Sequence, residues 1–543
     1  MDASMNRRDL IKATAGLSLG AVAGSPIPAT GSTDKIDRVE QWGVFEARFR
    51  GPSTGNPFLD VQLTAEFVQG HRKVEVSGFY DGEGVYCTRY MPDAPGAWTF
   101  TTTSNAPELN GKTGAFEVAP AKMGNHGPVQ VAHRFHFAHV DGTPYFPFGT
   151  TCYSLGFIGE QFEKQAFDGL VAAGFNKVRL CLLPKPLGKL QPVAMPFERI
   201  PGSPVSDPKP LSDGGMSGQR FDTARLNPAY FRHFERVIQK LNELRIQADV
   251  ILFHPYDGWG FRSMTAASNE LYLRYAVARL APYSNVWWSV ANEFDLVQSK
   301  TLADWDSYFR IIAESDPSSH LRSIHHSKEH YDNSKPWVTH ASLQEYDFEK
   351  SALYRSSWGK PIIYDEIQYE GTFAQRWGNL SAEEMTRRFW LAIVHGAYAT
   401  HGETFITPAG EPVWSDAGKL RGSSAPRIRF LHELTQRITN IGLTEFENAY
   451  YPCAGKEGEL YLYYFDFHCP GEYDFPLPAG MRFRASLIDP YQMTVKRLEG
   501  TFIGKMSGDA PSQSGNVGEK MAGGTSHLQL PGRPYMAVLF ERE

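Results

Sequence analysis

The sequence predicts an α/β chain built on a (β/α)8 barrel, with one β-sandwich before it and another after it. Three observations carry this reading. Across residues 144–443, short apolar runs alternate with helical segments. On both sides of that span the pattern turns to apolar–polar alternation broken by turn residues, and two of the central apolar runs end in a glutamate. At 543 residues the chain exceeds one ordinary domain, and its 42% hydrophobic content supports sizeable cores.

Residues 1–29 read as an export leader. Arg7 and Arg8 precede a small, apolar segment, residues 13–24, with cleavage expected after Ala23 or Ala29. Paired arginines ahead of such a segment point to the twin-arginine route, hence to a periplasmic or secreted protein. The segment is too short and Gly-rich to span a bilayer, and no other stretch is a candidate membrane span.

Residues 37–120 hold runs such as Asp60-Val-Gln-Leu-Thr-Ala-Glu-Phe67 and Lys73-Val-Glu-Val-Ser-Gly-Phe79, with turns at Gly51-Pro52, Asp81-Gly82 and Pro95-Gly96. This is the pattern of a small antiparallel, immunoglobulin-like sandwich. Residues 121–143, with Gly124, Gly127 and Pro128, read as a linker. The barrel units follow over 144–443: a strand at 145–151 then a helix at 161–173, a strand at 175–183, a helix at 229–244 then a strand at 247–254, and a helix at 276–283 before the strand ending at Glu293. Neither a Gly-x-Gly-x-x-Gly nor a phosphate loop opens the first unit, which argues against a nucleotide-binding open sheet. Residues 445–543 return to strands at 459–465 and 535–540, around a Gly/Ser-rich stretch at 507–526 read as a mobile loop.

The formal charge of −6 and the lack of a basic run exclude a nucleic-acid groove, and a 13% aromatic content suits a carbohydrate ligand. Of the five cysteines, Cys87, Cys152, Cys181, Cys453 and Cys469, none has metal-binding spacing. Cys453 and Cys469 flank a hairpin and could pair; Cys181, in an apolar strand, reads as a buried thiol.

The two glutamate-terminated runs are Val286-Trp-Trp-Ser-Val-Ala-Asn-Glu293 and Pro361-Ile-Ile-Tyr-Asp-Glu366. In a closed barrel the strand ends converge, so both carboxylates are expected in one site, at strands four and seven. Paired carboxylates are what glycosidic bond cleavage with retention needs: one protonates the leaving oxygen and one attacks the anomeric carbon. An ordinary salt bridge at a barrel rim is the bland alternative. Arg179, closing Asn176-Lys-Val-Arg179 on strand two, is the expected neighbour that keeps the nucleophile ionised. Asp365 competes with Glu366 for that role. Strand alternation puts Ile362, Tyr364 and Glu366 on one face, so Tyr364 and Glu366 are read as facing the interior and Asp365 as anchoring a neighbouring loop.

These motifs resemble the clan-A glycoside hydrolases. The flanking sandwiches and Asp365-Glu366 are similar to the apiosidase-related branch of that clan, whose members carry N-terminal domains of unassigned function. The resemblance implies Glu293 as general acid/base, Glu366 as nucleophile, and Asn292 as hydrogen-bond donor to the sugar hydroxyl beside the anomeric carbon.

Further substrate contacts are expected from aromatic and planar polar side chains: His254 and Trp259 after strand three, Tyr369 after strand seven, and Glu403 and Trp414 after strand eight. His325, His326 and His330 crowd one segment, and the 326/330 spacing could set two imidazoles on one helical face. Without a His-Glu-x-x-His pattern or further ligands, they read as solvated or substrate-lining, with no metal and no cofactor. The connection at 184–223, rich in Pro and Gly, reads as a wall of the cleft. Together these readings give an exported retaining glycoside hydrolase acting on a poly- or oligosaccharide; the alternative is a non-catalytic carbohydrate-binding or surface-assembly protein on a barrel scaffold.

Overall fold

The computed structural model describes residues 37–186, 190–203, 220–447, 449–504 and 526–543. The leader at 1–29, most of the Gly/Ser-rich stretch and parts of the 184–223 connection lie outside the described residues.

Eight parallel strands form the centre: β1 (Phe148–Thr151), β2 (Lys177–Cys181), β3 (Gln247–Phe253), β4 (Val286–Ala291), β5 (Arg322–Ser323), β6 (Ala341–Leu343), β7 (Ile362–Tyr364) and β8 (Tyr398–His401). Their order is β5-β4-β3-β2-β1-β8-β7-β6, and a parallel bridge between His325 and Ser342 closes the ring. Among the described residues, seven helices surround it: α1 (Glu160–Ala173), α2 (Pro228–Glu243), α3 (Ala266–Leu280), α4 (Leu302–Ser315), α5 (Ser351–Trp358), α6 (Ala382–Val394) and α7 (Ala425–Ile438). Only β5 runs to its successor without a helix. This is the (β/α)8 barrel that the alternation predicts.

Local chemistry sets these boundaries. Asn227 caps α2 by accepting from the Ala229 N–H, with Pro228 in the first turn where no donor is needed. Gly174, at φ 75°, ends α1 in the left-handed conformation that costs glycine least. Every residue of β3 and β4 is buried, because barrel strands are covered by helices outside and by packed side chains inside.

Before the barrel, a five-stranded and a three-stranded antiparallel sheet enclose Phe45, Phe67, Trp98, Phe100 and Phe116, with Phe45 stacked on Phe116 at 3.8 Å. This unit is joined to the barrel through buried charge. Arg279 on α3 bonds Asp81 at 2.9 Å and Glu235 on α2 at 2.5 Å, and Arg89 of the sandwich reaches the same Glu235 at 2.7 Å. Both guanidinium groups lie over the Phe79 ring.

The stretch read as a linker is partly folded. Val129–Ala132, His136–His139 and Pro144–Tyr145 make a small antiparallel sheet. Its Phe137 packs against Trp287, His340 and Tyr398, so this segment has apolar barrel surface to cover where its glycines suggest only a tether.

After the barrel, an antiparallel sheet with strands Leu460–Tyr464, Ala537–Arg542 and Arg482–Asp489 at its centre packs over Tyr463, Phe475, Phe483 and Phe540. It docks on α6 through Trp390 against Tyr464 and through the Arg387–Asp466 ion pair. All five cysteines are free thiols: Cys453 is buried in this core while Cys469 is exposed, so the pairing considered for them does not form, and Cys181 is buried as expected. Among the described residues, no helix is long and apolar enough to cross a membrane.

Candidate active site

Glu293 lies two residues past β4 and takes φ 45°, a left-handed conformation that costs a side-chain-bearing residue of order 1 kcal/mol and that recurs at functional sites. Its Oε2 accepts from the Tyr256 hydroxyl, and Gln344, one residue past β6, also hydrogen-bonds it. Burial, and then the negative charge of Glu366, raise its pKa above the usual carboxylate value.

Glu366 lies two residues past β7, 8% exposed. Its Oε1 accepts from the Tyr153 hydroxyl at 2.5 Å and stands 3.6 Å from Arg179 Nη1 and 3.9 Å from His325 Nε2. Arg179 is fully buried; burial opposes its charge, but Asp365 and the other acidic groups around it carry its pKa further up. The same guanidinium donates to Asn292 Oδ1 at 2.8 Å, and Asn292 Nδ2 donates to the Tyr256 hydroxyl at 3.0 Å. A continuous network therefore runs from one carboxylate to the other. His325 is buried, with no hydrogen-bond partner at either ring nitrogen among the described residues. Burial, and then the charge of Arg179, hold its pKa well below the ordinary value and the ring neutral.

Asp365 corrects the alternation argument. Its carboxylate accepts from Lys177 Nζ at 2.6 Å, Ser342 Oγ at 2.6 Å and Thr400 Oγ1 at 2.7 Å, from β2, β6 and β8. It therefore faces the barrel interior. Tyr364 faces the helices instead, its hydroxyl meeting Ser351 Oγ of α5 at 2.8 Å. Glu366 still reaches the mouth because β7 ends at Tyr364, beyond which two-residue alternation no longer governs direction.

Tyr369 belongs to the site, its hydroxyl 2.8 Å from that of Tyr153. Trp259 is partly buried in the β3 loop beside Phe261. Three other expected contacts are committed to the protein. His254 uses Nε2 on the Leu183 carbonyl at 2.8 Å and Nδ1 on the Tyr256 N–H, so it shapes the loop. Glu403 accepts from the backbone N–H groups of Arg421 at 2.5 Å and Gly422 at 2.8 Å; burial raises its pKa to about 7 against those bonds. Trp414 is 1% exposed, with Nε1 donating to Thr150 Oγ1. The His325–His330 segment is loop, not a helical face.

Sequence reasoning missed Tyr153, Tyr256, Gln344 and Lys185. Lys185 pairs with Asp416 at 2.8 Å and lies over the rings of Tyr153 and Tyr256, the two tyrosines that hold the carboxylates. Tyr256 sits inside the aromatic run His254–Phe261, which was the available signal. Tyr153 had none beyond following the first strand.

A closed barrel with two buried glutamates at the ends of strands four and seven defines a glycoside hydrolase of the barrel class. The chain belongs to the apiosidase-like family, whose catalytic-domain model matches residues 132–439. Two domains of unknown function, DUF5060 and DUF5605, match residues 38–105 and 450–541. A crystal structure from Bacteroides vulgatus, provisionally assigned as a glycoside hydrolase, is 34% identical at a TM-score of 0.84, covering 93% of this chain and 100% of that one. A family 5 glycoside hydrolase from the same organism shares the fold at a TM-score of 0.55 and 15% identity, over 77% of this chain and 94% of that one. No curated protein matches the chain.

Proposed function

We propose that the protein is a retaining glycosidase that cleaves a poly- or oligosaccharide by double displacement, after export by the twin-arginine route. The observation that supports this best is the unequal setting of two carboxylates in one network: Glu293 is buried with a raised pKa, while Glu366 stands beside the Arg179 cation. This setting supports Glu293 as the acid and Glu366 as the nucleophile.

In the first step Glu293 gives its proton to the glycosidic oxygen as Glu366 attacks the anomeric carbon, and the leaving sugar departs with that proton. In the second step Glu293, now a carboxylate, takes a proton from water, which attacks the same carbon and releases Glu366. Two inversions restore the starting configuration. Arg179 and Tyr153 stabilise the carboxylate that Glu366 begins and ends as, and Asn292, fixed between Arg179 and Tyr256, is placed to meet a sugar hydroxyl. The test is incubation of the protein with a broad polysaccharide panel, following the first reducing sugar by proton NMR. Release of a sugar with retained configuration supports the reading. An inverted first product removes double displacement, and binding without turnover leaves only a recognition scaffold.

A further inference from the structure

We propose that His326, His330 and Glu345 form a binding site for a divalent transition-metal ion of the zinc type, on the rim of the barrel mouth and separate from the paired carboxylates. The two histidines come from the loop after β5, and Glu345 from the loop after β6, so no local sequence motif joins them. Their ligand atoms all lie within 4.8 Å of one another, and both Nε2 atoms face one oxygen: Glu345 Oε1 is 3.6 Å from His326 and 2.5 Å from His330.

Donors around a tetrahedral zinc ion stand about 3.3 Å apart. The His326 edge is already near that spacing, and the His330 edge has to open by roughly 0.8 Å, a small swing for a side chain that is about one-third exposed. Two imidazoles with one carboxylate suit zinc and its neighbours, whereas magnesium and calcium favour all-oxygen sets. His326 is almost wholly buried while His330 and Glu345 are partly open, so the three donors converge from the protein side and leave a fourth position to water.

The surroundings hold the donors in place. Tyr354 donates to the other carboxylate oxygen of Glu345, Oε2, at 2.7 Å, leaving Oε1 to the ion. The rings of Tyr354 and Trp358, stacked on each other, wall the His330 imidazole edge-on. Asp295 accepts from the backbone N–H groups of Ser327, Lys328 and Glu329, which pins the chain between the two histidines. Much of the ordering cost of binding is thereby met by the fold. Asp295 lies two residues past Glu293, and Gln344, the neighbour of Glu345, bonds Glu293, so the ion would brace both loops that hold that carboxylate.

The test uses the full chain, stripped with EDTA and titrated with Zn2+ by calorimetry, with Co2+ as a spectroscopic probe. The expected result is one equivalent bound, visible Co2+ bands of a four-coordinate ion, and roughly tenfold or greater weakening in both His330→Ala and Glu345→Gln. Circular dichroism on each variant establishes that it is folded; His330→Gln serves if His330→Ala is not. No binding of Zn2+, or affinity and Co2+ spectrum unchanged in folded variants, overturns the proposal and leaves histidines that only hydrogen-bond a carboxylate. Neither result depends on glycosidase turnover.

Discussion

The Tyr153 hydroxyl donates to Glu366 Oε1 at 2.5 Å, so a residue just past β1 holds the carboxylate just past β7. In double displacement this bond matters most as Glu366 leaves the sugar and regains its charge, because a hydrogen bond to an ionised group contributes about 1.5–3 kcal/mol. Tyr153→Phe should therefore slow the second step by roughly ten- to hundredfold and let the glycosyl-enzyme accumulate. Stopped-flow release of an aryl leaving group should show a burst followed by a slow steady state; equal slowing of the burst itself would remove this role.

Replacing each glutamate separates their tasks. Glu366→Gln should nearly abolish turnover while leaving glycan binding largely intact, since an amide cannot form the covalent intermediate. Glu293→Ala should spare activated aryl glycosides far more than natural linkages, and added azide should restore its rate. Wild-type rates in the first variant, or equal losses on both substrates without azide rescue in the second, count against the assignment.

The hydrogen bond from Tyr256 lowers the pKa of Glu293, against burial and the Glu366 charge, which raise it. The acid works protonated, so kcat/KM falls as pH rises through that pKa. Tyr256→Phe removes the one lowering contact contributed by the β3 loop, and the alkaline limb should move to higher pH. A limb that stays in place or moves down would show that Glu293 does not set it.

Glu403 gives a stability test that needs no turnover. Its folded pKa of about 7 lies above the unfolded value, so the folded state binds the extra proton, and stability declines as pH rises from about 4.5 through 7. The decline amounts to about 3 kcal/mol at most. Thermal unfolding of Glu403→Gln should lose this slope over the same window; an unchanged slope would assign it to other groups.

Much of the fold was legible because most barrel strands are short apolar runs followed by a helix, and Glu293 and Glu366 were legible because each closes such a run. The two-residue β5, Arg322–Ser323, has neither mark. What failed did so for physical reasons. Alternation was extended from Tyr364 to Glu366 across the end of β7, where the ladder that enforces it stops, and Asp365 turned out to face the interior. His254, Glu403 and Trp414 have the side chains that bind sugars, but backbone amides, a carbonyl and a threonine hydroxyl claim their polar atoms. Tyr153, Gln344 and Glu345 act through neighbours far off in the chain, a relationship that no local pattern records.

The charge cluster at Arg89, Asp81, Glu235 and Arg279 bears on how this architecture can be inherited. Each of its two halves is incomplete alone: barrel helices without the sandwich would turn Arg279 and Glu235 toward water with half their partners gone, and the sandwich would keep Asp81 and Arg89 in the same condition. Docked against an unrelated barrel, Asp81 and Arg89 would be buried again without these partners, and a buried charge left unpaired costs about 3–5 kcal/mol. The N-terminal unit is thus poorly suited to shuffling between unrelated barrels, and lineages that carry this barrel are expected to transmit both pieces as one block.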